Sequence, residues 1–191
     1  MRAPVVLLLV LGALASTTGC GDDRDAPADR RAAAVAVSPA DYAKRAERRC
    51  RAILVAARRT VATELRSRRL RTPAGDRRYL RSYGTYLDTV GHQLDRLSRL
   101  TVPDEPEYRA LRRGLRAVTP GLTATLHRNT VELARDPTPE TYARVRRSSE
   151  DAGRALPVDL FPATLSTSAP SCRTLLGPGG GGGAAPGGLS A

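Results

Sequence analysis

The chain has 191 residues, enough for one ordinary domain or one domain with tails. It carries 31 Lys+Arg against 19 Asp+Glu, a formal net charge of +12, and Lys44 is its only lysine. Three cysteines are too few for a four-cysteine zinc site, and 17 glycines without a Gly-x-y period exclude collagen.

Residues 1–20 read MRAPVVLLLVLGALASTTGC. Arg2 gives a short basic start, and an apolar run of eleven residues follows from Val5 to Ala15. That length suits a signal-peptide core and falls short of the roughly 20 residues that span a bilayer. Two processing sites compete. Ala13-Leu14-Ala15 is an A-x-A site, with cleavage leaving Ser16 first and the product secreted and soluble. Thr17-Thr18-Gly19-Cys20 instead resembles a bacterial lipoprotein signal, with Thr17 where leucine is usual. That resemblance implies removal of residues 1–19 and a lipid on Cys20, anchoring the protein outside the cytoplasm on the cell membrane. Several acyl chains would hold stably, since each buried CH₂ contributes about 0.8 kcal/mol.

Residues 20–37 are polar and then Ala-rich, and read as a flexible tether. Residues 174–191 are mostly Gly, Ala and Pro and read as a disordered tail. Between them, 38–173 is the expected domain.

Four helices are predicted there. The first opens at Ser38-Pro39, an N-cap followed by a proline suited to the first turn. Its apolar stripe is Tyr42, Ala46, Cys50, Ile53, Ala57, Val61 and Leu65, and it stops near Arg71, before Thr72-Pro73-Ala74-Gly75. The second starts around Asp76 with Leu80, Tyr83, Leu87, Val90, Leu94 and Leu97 on one stripe; Gly84 and Gly91 beside it suggest close helix approach. The third begins at Pro106 and carries Tyr108, Leu111, Leu115, Val118, Leu122, Leu126 and Leu133. Pro120 either kinks it or splits it. The fourth has Thr138 as N-cap, Pro139 at its first position, a stripe of Tyr142, Val145, Ser149, Ala152 and Leu156, and Pro157 as its stop. Residues 158–172 read as irregular, with Leu160, Phe161 and Leu165 covering the open end. The fold class is therefore all-α, an antiparallel up-down four-helix bundle with an irregular C-terminal segment.

An exported chain meets an oxidising environment. If Cys20 is lipidated, Cys50 and Cys172 remain and can pair, closing nearly the whole bundle; the alternative is two separate thiols.

The stretch DYAKRAERRC carries Tyr42, Ala46 and Cys50. Leu94, Leu97 and Leu100 precede a turn at Pro103, and Cys172 stands alone near the end of the fold. In these features residues 40–172 resemble a large group of uncharacterised lipoproteins from high-GC Gram-positive bacteria. The resemblance implies location and fold and carries no mechanism.

No catalytic motif is present. His92 and His127 lie in no nucleophile–base pattern, and no Glu-x-x-His occurs. No metal, cofactor or enzymatic activity is expected. Charge is the feature with functional content. Residues 39–71 hold eleven basic and three acidic side chains, a net of +8 out of the chain's +12. Arg48, Arg51, Arg58, Arg59, Arg66 and Arg69 are the candidate contacts to an anionic surface, either phospholipid headgroups or acidic cell-wall polymer. A simple solvated face is the plain alternative. Export and the absence of interleaved aromatics argue against nucleic acid. The leading expectation is a non-enzymatic, lipid-anchored envelope module that binds or spaces something. An accessory protein-binding subunit of an envelope complex comes second, and an envelope enzyme third.

Overall fold

The computed structural model describes residues 37–176, which belong to one compact unit, Val35–Ala191. The signal segment, Cys20, nearly all of the tether and the tail beyond Leu176 lie outside the described residues. All regular structure among the described residues is helical. Helix α1 spans Pro39–Leu70, α2 Pro73–Ser98, α3 Pro106–Arg135 and α4 Pro139–Gly153. A 3-10 turn at Val158–Leu160 and two short helices follow, α5 Ala163–Ser168 and α6 Pro170–Leu176. Helix α1 packs on α2, α2 on α3 and α3 on α4, as an up-down bundle. Helices α5 and α6 fold back onto α1.

Three of the four Ser/Thr-Pro pairs start helices in the same way; the fourth, Thr119-Pro120, lies inside α3. Ser38, Thr72 and Thr138 each accept the backbone N–H three residues on, from Asp41, Gly75 and Thr141. Each following proline occupies the first turn, where its missing N–H leaves nothing unpaired. Helix α2 thus begins at Pro73, three residues before the expected Asp76. Gly75 is helical and not part of a turn. A Cβ there would stand 3.1 Å from Thr72 Oγ1 and 3.4 Å from Ser67 Cα, so glycine lets α1 and α2 meet closely at their joint.

Helix α3 is unbroken across Pro120. The carbonyl that loses its partner there is that of Arg116, and both residues are on the exposed side, where water can replace the bond. Helix α4 ends at Gly153, four residues before Pro157.

Two expectations about packing change. Only the first half of the α1 stripe faces the core. Tyr42, Ala46, Cys50 and Ile53 are buried, but Ala57 and Val61 are half-buried and Leu65 is 49% exposed. The buried positions further along are Thr60, Glu64 and Ser67. The cause is helical geometry: a four-residue step turns a stripe by about 40°, and the expected stripe uses four-residue steps repeatedly. The observed line, 46-50-53-57-60-64-67, alternates four and three and stays on the seam. Its polar groups are satisfied: Thr60 donates to the Ser82 carbonyl at 3.2 Å, Ser67 to Asp76 at 2.6 Å, and Glu64 pairs with Arg68 at 2.6 Å.

The second change is at the C-terminal end. Residues 158–172 are not irregular, and helix α6 runs to Leu176, past the expected boundary at 173. Leu165, Ala169, Cys172 and Leu176 are all buried, in steps of four, three and four. Of the three residues expected to cover the bundle, Leu165 is buried, Phe161 half-buried and Leu160 exposed.

All six tyrosines stack at two places. Tyr42 and Tyr108 meet edge to face at 5.4 Å, joining the starts of α1 and α3. Tyr79 and Tyr83 of α2 both contact the Tyr142 ring of α4, at 5.4 and 5.0 Å, and Tyr86 lies against Tyr83 at 5.9 Å. Burial pushes the phenols of Tyr79, Tyr83 and Tyr86 up, and that of Tyr42 up to about 12.

Candidate anionic-surface site and the covalent tie behind it

Cys50 and Cys172 form a disulfide, with Cα atoms 5.0 Å apart across a sequence separation of 122. Both are fully buried. Cys50 comes from the core line of α1, and Cys172 from the buried face of α6. The bond fixes α6 against the first half of α1, so the outer face of α1 rests on a stiffened support.

That outer face carries the six arginines. Arg48, Arg51, Arg58, Arg59, Arg66 and Arg69 are all exposed. At about 100° per residue, Arg51, Arg58 and Arg69 fall on one line along the helix, and Arg48, Arg59 and Arg66 on a second about 70° away. From Arg48 to Arg69 the rows extend roughly 32 Å, at about 1.5 Å per residue. Arg51 leans back to Glu47 at 3.2 Å. The other five meet no carboxylate among the described residues. Of the three acids of α1, Asp41 accepts from the Ser38 hydroxyl, Glu47 is shared between Ser171 and Arg51, and Glu64 is buried beside Arg68. Against six guanidinium groups the face keeps only the Glu47 carboxylate, shared between Arg51 and Ser171, and the exposed Asp41 near the start of the helix, so it projects a net positive field.

Apolar side chains interrupt the basic rows, which reading the chain for buried stripes missed. Val55 is 38% exposed and Leu65 49%, and Ala62 lies open between them. Positions 51, 55, 58, 62, 65 and 69 form one outward line, Arg-Val-Arg-Ala-Leu-Arg, again in steps of four and three. Leu70, 58% exposed, stands at the helix end. The signal was present in the spacing but was hidden because Leu65 also fits the drifting stripe assigned to the core.

His92 and His127 are exposed and line one shallow groove between α2 and α3, of about 240 Å³, with Asp88, Asp95 and Thr123. Among the described residues no cluster of three His, Cys, Asp or Glu side chains could hold a metal ion, and no histidine hydrogen-bonds a serine or cysteine. No helix among them is long and apolar enough to cross a membrane. Comparison with known protein families, with characterised proteins and with solved structures finds no match to this chain.

Proposed function

We propose that this protein is a non-enzymatic, lipid-anchored module of the cell envelope, held outside the cytoplasm by acylated Cys20. In this reading the outer face of α1 is its binding surface, and the partner is anionic. The observation that carries the proposal is the set of six exposed guanidinium groups on α1, of which only Arg51 pairs with a carboxylate among the described residues. Holding so many like charges on one helix costs stability through mutual repulsion, and an anionic partner relieves it. The 17 residues between Cys20 and Ser38 support the anchor. They would extend at most about 60 Å, which keeps the bundle close to the lipid.

Two measurements test the reading. The mass of the mature N-terminus from membranes should show acyl chains on Cys20, and Cys20→Ala should leave the membrane fraction; an unmodified Ser16 N-terminus overturns the anchor. Binding to polyanions should fall steeply between low and physiological salt and fall further when Arg58 and Arg59 become Gln. Indifference to salt would sink the anionic surface. A protein partner is the second reading, favoured by exposed Leu70 and Leu65. Membrane crosslinking that recovers one acidic protein would support it.

A further inference from the structure

We infer that the outer face of α1 docks flat onto an anionic phospholipid bilayer, with Val55, Ala62 and Leu65 entering the headgroup layer and the arginine rows binding lipid phosphates. The inference rests on the proposed basic binding surface and names its partner.

The argument begins with where the apolar residues are. Four large hydrophobic side chains of the described fold are exposed, and three of them, Val55, Leu65 and Leu70, are on α1. Two of those lie on the line that carries Arg51, Arg58 and Arg69. A dispersed phosphate polymer would satisfy the guanidinium groups while leaving Val55 and Leu65 in water. A bilayer interface supplies phosphate and an apolar layer at adjoining depths. Arginine suits that boundary. Its stem lies along apolar surface while its planar fork takes two phosphate oxygens.

The fold leaves room for this contact. Among the described residues, α1 packs mainly on α2, α5 and α6; α6 reaches round it as far as Glu47, and the exposed positions from Arg51 to Arg69 lie beyond that contact. The rows from Arg48 to Arg69 lie on one continuous helix of 32 residues, so all of them can reach a plane at once. Charge argues against a second copy of the chain in the same place, since two faces from the segment 39–71, each of net +8, would repel. An anchor on Cys20 would deliver the helix to the bilayer within the span of the tether.

The test uses the chain from Gly21 onward, with its disulfide formed. It retains the whole unit Val35–Ala191, which closes its own core. It is mixed with vesicles of phosphatidylcholine and phosphatidylglycerol, with phosphatidylcholine alone, and with soluble poly(glycerol phosphate). Binding is expected on the mixed vesicles and not on phosphatidylcholine alone. Val55→Gln with Leu65→Gln should weaken vesicle binding about tenfold and leave polymer binding unchanged. Each arginine of the rows changed to Gln should weaken vesicle binding roughly fivefold. Leu160→Gln, exposed on the 3-10 turn, should change neither.

A second measurement does not depend on binding strength. The chain has no tryptophan, so Leu65→Trp is a single reporter. Its emission should shift to the blue on mixed vesicles and be quenched by brominated acyl chains. An unshifted Trp, or vesicle binding unaffected by the double Gln variant, overturns the docking while leaving the anionic surface intact. Binding to the polymer alone does the same. Failure to bind either vesicles or polymer overturns both readings. A dimer broken by Leu65→Gln would overturn the docking in favour of a second copy.

Discussion

Ser171 gives both its backbone N–H and its hydroxyl to the carboxylate of Glu47, at 2.9 and 2.6 Å, across 124 positions of chain. Glu47 lies three residues before Cys50, and Ser171 directly before Cys172. A covalent bond and a charge-assisted pair therefore hold the same two helices one turn apart. Without them α5 and α6, of six and seven residues, would be too short to persist.

The carboxyl of Glu47 titrates below its ordinary range. Burial pushes it up, but the Ser171 hydroxyl and N–H, with Arg51, outweigh that. Its folded value is thus lower than its unfolded one. The stabilisation is present above the ordinary glutamate pKa and is lost as pH falls through the folded value. Glu47→Gln should cost about 1–2 kcal/mol at neutral pH and flatten the acid limb of the stability curve. Urea titrations at stepped pH check this; an unchanged acid limb would contradict it.

The disulfide should dominate chemical stability. The chain-entropy model gives about 4.7 kcal/mol for a loop of roughly 100 residues. Cys50→Ala with Cys172→Ala should lower the urea midpoint by an equivalent of about 2–5 kcal/mol. Amide exchange should rise first in α5 and α6, with α2 and α3 protected longest, because α6 then keeps only its burial of Leu176, its neighbours and the Glu47 pair. Uniform loss of protection would mean that the bond stabilises the bundle as one unit.

Arg71 is the one described non-glycine residue with positive φ, at 47°. It closes α1 through its N–H to the Ser67 carbonyl at 2.9 Å. Glycine adopts this left-handed conformation without the Cβ clash. Arg71→Gly should raise stability by about 1 kcal/mol, a gain of roughly 3 °C in Tm. Calorimetry reads it directly.

Two glycines should respond in opposite ways to alanine. A Cβ on Gly91 would make only ordinary contacts, 3.8 Å from Leu126, so Gly91→Ala should gain up to about 1 kcal/mol of helix propensity. On Gly114 it would meet Leu160 and Pro157 at 3.0 Å, and proline cannot turn aside. Gly114→Ala should lose that gain and destabilise by about 1–2 kcal/mol. Thermal melts of the two single variants decide it.

The four long helices were legible because each stripe is long and each start carries a local signal. Ser38-Pro39 and Thr138-Pro139 mark their helices without any tertiary information; Thr72-Pro73 holds the same signal, obscured by Gly75. The C-terminal helices were not legible as elements. The spacing Leu165, Ala169, Cys172, Leu176 is helical, but proline at 170 interrupts it, and short helices gain their stability from the surface beneath them. The candidate site was half legible. The arginines count themselves, whereas Val55, Ala62 and Leu65 gained meaning only once the inward line of α1 was known.

The sequence by itself determined the helical class, the concentration of +8 on residues 39–71 and the two cysteines left to pair once Cys20 is set aside, since periodicity, charge and cysteine number are local properties that need no partner. The tertiary structure decided which side of α1 faces out. That choice depends on how the helix turns against α2 and α6, and a drift of about 40° per four-residue step carries a side chain from core to surface within two or three turns. Leu65 is where the two differ: an apolar core position on the stripe, an exposed neighbour of Arg58 and Arg69 in the fold.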